Sequence, residues 1–251
     1  MASELEPDRL RPLLRGGFGE PYLYFTEVGS TQDVLREGEH PHGAVALAEH
    51  QTDGRGRSGR RWEDEEAANL LFSVLLLPPA GAPLPELSLV AGLAVASALE
   101  REAMVPALVK WPNDVLVDGG KVAGILLEAS GSRVVCGIGI NVNQGSGDLP
   151  PTPRFPATSL RVAAGHPFDR APVLVAVLAE LEGRYTQWLD GGMAGLADDL
   201  ERRNALQGRR VLLGDGRSGA ADTIAPDGRL TVVLDDGTTT LVGSGEVDLQ
   251  A

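Results

Sequence analysis

Between residues 107 and 140 four apolar runs follow one another: "ALVKW", "DVLVD", "KVAGILLEA" and "RVVCGIGI". Each is rich in β-branched residues, has the length of a strand and is too short for a buried helix. Strands are therefore expected near 107–111, 114–118, 121–129 and 133–140. Asp118-Gly119-Gly120 supplies a hairpin turn between the second and third, because glycine takes positive φ without steric cost. A chain with this much strand in one stretch must build a sheet, and the remaining segments must cover it.

Those segments read accordingly. "PYLYFTEV" (21–28), "GAVALAEHQ" (43–51) and "NLLFSVLLL" (69–77) are further strands, the last ended by Pro78-Pro79. "GSTQDVLREG" is a short helix with Ser30 or Thr31 as its N-cap. Residues 85–104 form a long, mostly apolar helix with its charges at the C-terminal end, 172–191 an amphipathic helix, and 193–206 another. Residues 1–20 are polar and Gly/Pro-rich, a short lead-in, and 144–157 is an irregular loop. After Gln207-Gly208 the pattern changes to short strands separated by Gly/Asp turns, as in a small all-β barrel. The expectation is an α/β (α+β) domain over 1–206, a mixed sheet with flanking helices, followed by a β module over 207–251. No 20–50-residue repeat is visible.

Charge narrows the partners. A net charge of −13 excludes a broad electrostatic footprint for nucleic acid. The acidity is uneven, however: 54–62 carry four arginines and no acid, while 63–66 read "EDEE". Such a local cationic loop suits a small anion; pairing of the two runs with each other is the plainer explanation. The single cysteine, Cys136, excludes an internal disulfide and fits a reducing compartment. The first residues lack a signal peptide's apolar core, and the apolar helix core at 87–99 is too short to span a bilayer. A cytoplasmic protein without membrane partners is expected. The four histidines show no metal-binding spacing.

The loop "DGRGRSGRRW" (53–62) contains a literal G-x-G-x-x-G at Gly54, Gly56 and Gly59. A dinucleotide fingerprint requires a helix opening on the third glycine, and none fits before the next apolar strand. A phosphate-binding P-loop requires Lys-Ser/Thr where Arg60-Arg61 stand. What remains is a Gly-rich loop bearing planar, permanently charged forks, which grip carboxylate and phosphate bidentately. Such a loop can lie open when empty and order over an anion. Trp62, at its end, either covers a ligand or belongs to the core.

"KWPND" (110–114) delivers Lys110, Asn113 and Asp114 from one strand end: a cation, an amide and a candidate metal carboxylate. Alone it reads as a strand-terminating turn. Lys121 follows the tight turn, so rigid elements position its ammonium; a solvated hairpin lysine is the plainer alternative. Together these residues describe an enzyme that handles phosphate and carboxylate groups.

Taken jointly, "AEHQTDGRGRSGRRW" (48–62), "KWPNDVLVDGGKVAGILLE" (110–128) and "GIGINVN" (137–143) resemble the biotin protein ligases, in order and spacing. "GSTQ" (29–32) is similar to that family's Ser-Thr-Asn block, and the resemblance covers nearly all of 22–251. It implies a class II synthetase-like catalytic domain and a small SH3-like C-terminal domain. It also implies a two-step reaction: biotin and ATP give biotinyl-5′-adenylate with Mg2+, and a lysine of a biotin carboxyl carrier protein then takes the biotin. By position, Ser30, Thr31 and Gln51 would bind the ureido end, with Gln32 beside them. Arg55, Gly56 and Arg57 would wrap the carboxylate and phosphate. Lys121 and Arg57 would be catalytic. Trp62, Lys110, Asn113 and Asp114 would face ATP, with Asp114 the candidate for Mg2+. Gly124 and Gly139 would let backbone approach the ligand. Gln32 departs from the family's Asn, and Ser58 stands where many relatives carry Arg. Some relatives double as repressors through an N-terminal winged helix, for which about twenty residues before the first strand leave no room. Some pair through the sheet edge, so a homodimer is among the expectations.

Two other readings compete. A lipoate or octanoate ligase shares the fold and the adenylation chemistry, but the polar Ser30, Thr31 and Gln51 favour a ureido group over a plain acyl chain. A non-catalytic biotin sensor would have little need of Lys121 and Arg57.

Overall fold

A computed structural model describes residues 3–62, 67–150, 156–243, 245 and 247–249. The acidic run at 63–66 and part of the loop expected over 144–157 lie outside the described residues. The order is α1 (Pro7–Leu10), β1 (Tyr22–Val28), α2 (Thr31–Glu37), β2 (Val45–Gln51), β3 (Asn69–Leu76), α3 (Leu87–Ala103), β4 (Ala107–Lys110), β5 (Asp114–Val117), β6 (Gly120–Ser130) and β7 (Arg133–Asn141). There follow α4 (Leu160–Ala164), α5 (Arg170–Gly191), α6 (Ala197–Arg203), β8 (Arg210–Leu213), β9 (Ser218–Ile224), β10 (Leu230–Leu234), β11 (Thr239–Val242) and β12 (Val247–Leu249).

The first seven strands form one mixed sheet in the order β1-β2-β3-β7-β6-β5-β4. Only β1 and β2 pair in parallel; α2 provides the crossover between them. The turn between β5 and β6 is the expected hairpin, with Asp118 at φ 50 and Gly119 at φ 76, and Val117 opposite Gly120. Two positive-φ residues match the right-handed twist of the flanking strands.

The two faces of the sheet are covered differently. α3 is buried on nearly every side, as an all-round apolar helix must be, and packs with α5 over one face. Gly92 lets α3 approach β4 closely: a Cβ there would lie 3.3 Å from Val109 Cγ1. The opposite face carries only α2, above a small cluster of Leu35, Ala44, Ala46, Leu75 and Val135. Beyond that cluster this face is the wall of the site.

Two expectations are corrected. Residues 3–18 are no polar lead-in: Leu5, Leu10 and Phe18 are buried in the main core, and Tyr22 Oη donates to Leu5 O at 2.8 Å. Arg170, at the start of α5, ties the segment down through Glu4 (2.6 Å) and Glu49 (2.6 Å). Residues 193–206 are not one helix. A 3-10 turn over Gly192–Leu196 precedes the seven-residue α6, because Gly192 adopts φ 60 at the end of α5. The chain then runs beside the edge strand β4, where Ala205 N donates to Val109 O at 3.0 Å.

The last five strands make an antiparallel sheet in the order β11-β10-β9-β8-β12. Its apolar face, with Val211, Leu230 and Val232, joins the main core. Trp111 Nε1 donates to Gly228 O at 3.0 Å and so links the "KWPND" strand end to this sheet.

Candidate active site

The site begins with missing side chains. In an antiparallel sheet residues two apart share a face. Gly137 and Gly139 on β7 therefore expose backbone on the α2 side, and Gly139 lies opposite Gly124 of β6. The result is a bare patch between Leu71 and Leu126, with Ser73 opposite Gly137. A Cβ on Gly139 would stand 2.6 Å from the Trp62 indole. On Gly124 it would meet the same ring at 2.9 Å, and on Gly137 it would meet Gln32 Cδ at 2.9 Å. The open space above this floor, including its mouth, is about 470 Å³.

One end of the pocket is neutral and polar. Ser30 occupies the N-cap position of α2, yet its side chain makes no capping bond. Thr31 N donates to Gln51 Oε1 at 2.8 Å, which fixes α2 to the end of β2. Thr31 Oγ1 lies 3.2 Å from Gln51 Oε1 and 2.8 Å from Ser73 Oγ. Gln32 Nε2 donates to Leu126 O at 3.1 Å. Ser30, Thr31, Gln32, Gln51 and Ser73 are all buried, an arrangement suited to a compact hydrogen-bonding head group.

The other end is cationic. Lys121 opens β6 with its backbone gripped on both sides, its N–H by Pro156 O at 2.8 Å and its C=O by Thr158 N at 2.9 Å. Its Nζ lies 2.7 Å from Asp114 Oδ1 and 5.5 Å from the centre of the Trp62 ring. Lys110 reaches the same carboxylate at 3.9 Å. Lys110 and Asp114 thus stand behind Lys121, outside the pocket wall. Asn113 is anchored to β6 by Nδ2 donating to Ile125 O at 2.8 Å, and its Oδ1 accepts from Arg57 Nη1 at 2.8 Å.

The arginine loop is a flap folded as a tight hairpin. Trp62 N donates to Gly54 O at 3.0 Å and Gly56 N to Arg60 O at 2.7 Å. Gly54 is required by the closeness of the two arms, since a Cβ there would lie 2.8 Å from Trp62 O. Among the described residues no helix stands between this loop and β3, in keeping with rejection of the dinucleotide fingerprint. Arg55, Gly56, Arg57 and Trp62 line the pocket from above. Trp62 lies flat on the floor, and among the described residues its Nε1 is buried without a hydrogen-bond partner.

The residues singled out in the sequence therefore converge, apart from Lys110 and Asp114. Gly137 and Ser73 were missed. Gly137 had a signal, the i, i+2 spacing of "GIG". Ser73 had a fainter one, as the single hydroxyl within "NLLFSVLL". Among the described residues no group of three His, Cys, Asp or Glu is placed to hold a metal ion, and the carboxylate of Asp114 is held by lysine. Cys136 is fully buried, and burial pushes its thiol up to about 12, far from a reactive thiolate. No helix among the described residues is long and apolar enough to cross a membrane.

Residues 23–144 match the biotin/lipoate A/B protein ligase family. A biotin–[acetyl-CoA-carboxylase] ligase of Mycobacterium tuberculosis is 37% identical, over 96% of this chain and 97% of its own length. The bifunctional ligase/repressor BirA of Bacillus spizizenii is 38% identical over 69% of this chain, which spans 56% of that relative. Among solved structures, a biotin protein ligase from Aquifex aeolicus in complex with biotin and ATP superposes with a TM-score of 0.83 at 35% identity. It covers 91% of this chain and 97% of its own. The glycine floor, the two unlike pocket ends and the flap thus have their counterpart in sequence kinship: the chain belongs to the biotin protein ligase family.

Proposed function

We propose that the chain condenses biotin with ATP to biotinyl-5′-adenylate and transfers the biotinyl group to a lysine of a biotin carboxyl carrier protein. The observation that carries this reading is the pocket's polarity. A bare apolar floor joins a buried neutral polar end to an end that carries Lys121 and Arg57. A flat bicyclic acid with a ureido head and a carboxylate tail has matching polarity. The ureido group is bound by the Ser30, Thr31, Gln51 and Ser73 set, and the rings lie over Gly137 and Gly139 once Trp62 lifts. The carboxylate ends near Lys121.

In the first step a carboxylate oxygen attacks the α-phosphorus and pyrophosphate leaves. Charge grows on the phosphoryl oxygens, and a preorganised ammonium is worth most there. The Asp114 pairing keeps Lys121 Nζ in place. In the second step the neutral amine of the carrier lysine attacks the acyl carbon, AMP departs and the amine loses a proton. The flap, closed through Arg57 and Asn113, keeps water from the mixed anhydride. Asp114 does not fit as the core of a resident metal site. Mg2+ would be held chiefly by the nucleotide's own phosphates and would offset their charge.

Residues 1–206 serve as the catalytic unit and 207–251 as an SH3-like accessory domain, a division supported by the separate five-stranded sheet. The strand β1 lies at a sheet edge and is the surface on which a homodimer would form. The buried single cysteine is in keeping with work in the cytoplasm.

The test is ATP–pyrophosphate exchange with biotin, lipoate and octanoate in turn, followed by transfer to a carrier domain. Biotin-dependent exchange and labelling of one lysine are expected. Exchange with lipoate alone would replace this reading with that of a lipoate-type ligase. Biotin binding without exchange would make the chain a sensor.

A further inference from the structure

Three elements meet beside the pocket mouth, and two of the residues there, Asp33 and Glu128, have no part in the reaction described above. Arg55 of the flap sends Nη2 to Asp33 Oδ1 on α2 (2.7 Å) and to Glu128 Oε2 on β6 (3.4 Å), with Ser30 Oγ at 3.5 Å. Asp33 and Glu128 belong to two different regular elements, and their carboxylates lie close enough together for one guanidinium nitrogen to meet both. Through Arg55 the flap bridges them. All three side chains are about a quarter to a third exposed, so the pairing is of charges that water and salt reach.

A second arginine competes for the same atoms. Arg36 on α2 contacts Asp33 Oδ1 and reaches Glu128 Oε2 at 3.3 Å. With the flap lifted, the two carboxylates retain Arg36, which also reaches Glu37 Oε1 at 3.7 Å, so acids outnumber cations. With the flap down, Arg55 joins and offsets one further negative charge. Arg36 thus keeps the acids together when Arg55 leaves, and it weakens the hold when Arg55 returns. Among the described residues Arg55 Nε is buried without a hydrogen-bond partner, so the guanidinium is held through its Nη2 contacts.

We propose that Asp33 and Glu128 are positioning residues that latch the arginine flap through Arg55, and so set how long the pocket retains the biotinyl-adenylate. This rests on the function proposed above. The latch acts on the flap and leaves Lys121 untouched. It therefore governs ligand retention and the apparent KM for biotin, and not the rate of adenylate formation at saturation.

The experiment measures biotinyl-adenylate release from the full chain after a single turnover, together with kcat and KM for biotin-dependent exchange. Asp33→Asn combined with Glu128→Gln is expected to speed release about 3- to 10-fold and raise KM, with kcat within about twofold. Asp33→Glu should restore most of the retention. Release from the wild type should quicken with added salt, and release from the double variant should not. Arg36→Gln should slow release, a gain that general damage to the fold does not produce. Unchanged release in the double variant, or slower release there, would overturn the latch; slower release would mean the acids withhold Arg55 from the ligand. A wild type without biotin-dependent exchange would refute the proposed function instead.

Discussion

The floor and the flap of the pocket are both rich in glycine, and they use it in opposite ways. On the floor, Gly124, Gly137 and Gly139 sit in the middle of β6 and β7, where ladder hydrogen bonds on both sides fix the backbone. Their contribution is room. In the flap, Gly54 and Gly56 let two arms of a hairpin lie against each other. The flap's arginines are held from outside by side chains, Arg57 by Asn113 and Arg55 by Asp33 and Glu128. The floor is as stable as the sheet, whereas the flap is as stable as a few partly exposed polar contacts. Groups on the rigid side should therefore control chemistry and fit, and groups on the flap should control retention.

The sharpest way to break this comparison is at Lys121. Lys121→Ala should slow adenylate formation about 10²- to 10³-fold in single-turnover experiments while biotin affinity changes far less, because its interaction grows with charge in the transition state. An unchanged rate would remove Lys121 from the chemistry. Next comes the floor itself. Gly139→Val should raise the KM for biotin about 100-fold, since the added methyls displace Trp62 from the floor and enter the space the ligand takes. A smaller effect is expected in the flap: Arg57→Gly should quicken adenylate release about tenfold and alter the rate of its formation little. If Arg57→Gly instead matched Lys121→Ala in the formation step, flap and floor would not divide the work as described.

The smallest effect lies away from the pocket. Burial acts to raise the Glu4 carboxyl, but the hydrogen bonds it accepts and the charge of Arg170 together outweigh burial and hold the group below its ordinary value of 4.5. A lowered folded value means stability that is present above pH 4.5 and lost as the pH falls through the folded value. Glu4→Gln should therefore lower the unfolding midpoint at neutral pH, and the gap to wild type should close below about pH 4.5. A gap that did not narrow at all as the pH falls below 4.5 would show that the residue acts through packing.

How much of this was legible in the sequence depended on whether a signal was local. The strands over 107–140 and their Asp118-Gly119 turn were written in alternation and turn chemistry, and the structure follows them closely. The family blocks brought most pocket residues together before any fold was known. The segment 3–18 was not legible, because Leu5, Leu10 and Phe18 are isolated apolar residues without a period. Their burial depends on an arginine 166 positions from Glu4. The break at Gly192 was hidden by an apolar pattern that continues through it. Asp33 and Glu128 were invisible for a different reason: each is an ordinary surface acid until the flap brings Arg55 to it, and no spacing rule spans 95 residues between α2 and β6.

The bond from Trp111 to Gly228 has a consequence for inheritance. Gly228 takes φ 77, and a Cβ there would lie 3.2 Å from Glu86 Cγ, whose carboxylate accepts from Trp188 Nε1 at 2.6 Å. A turn in the last sheet is thus wedged between two tryptophan partners, one of which belongs to the strand end that carries Asn113 and Asp114. Sequence drift at that turn is not private to the C-terminal sheet. A bulkier residue at 228 would press on Glu86 and disturb the carbonyl that Trp111 bonds, so a change in the last sheet would be felt at the strand end beside the pocket.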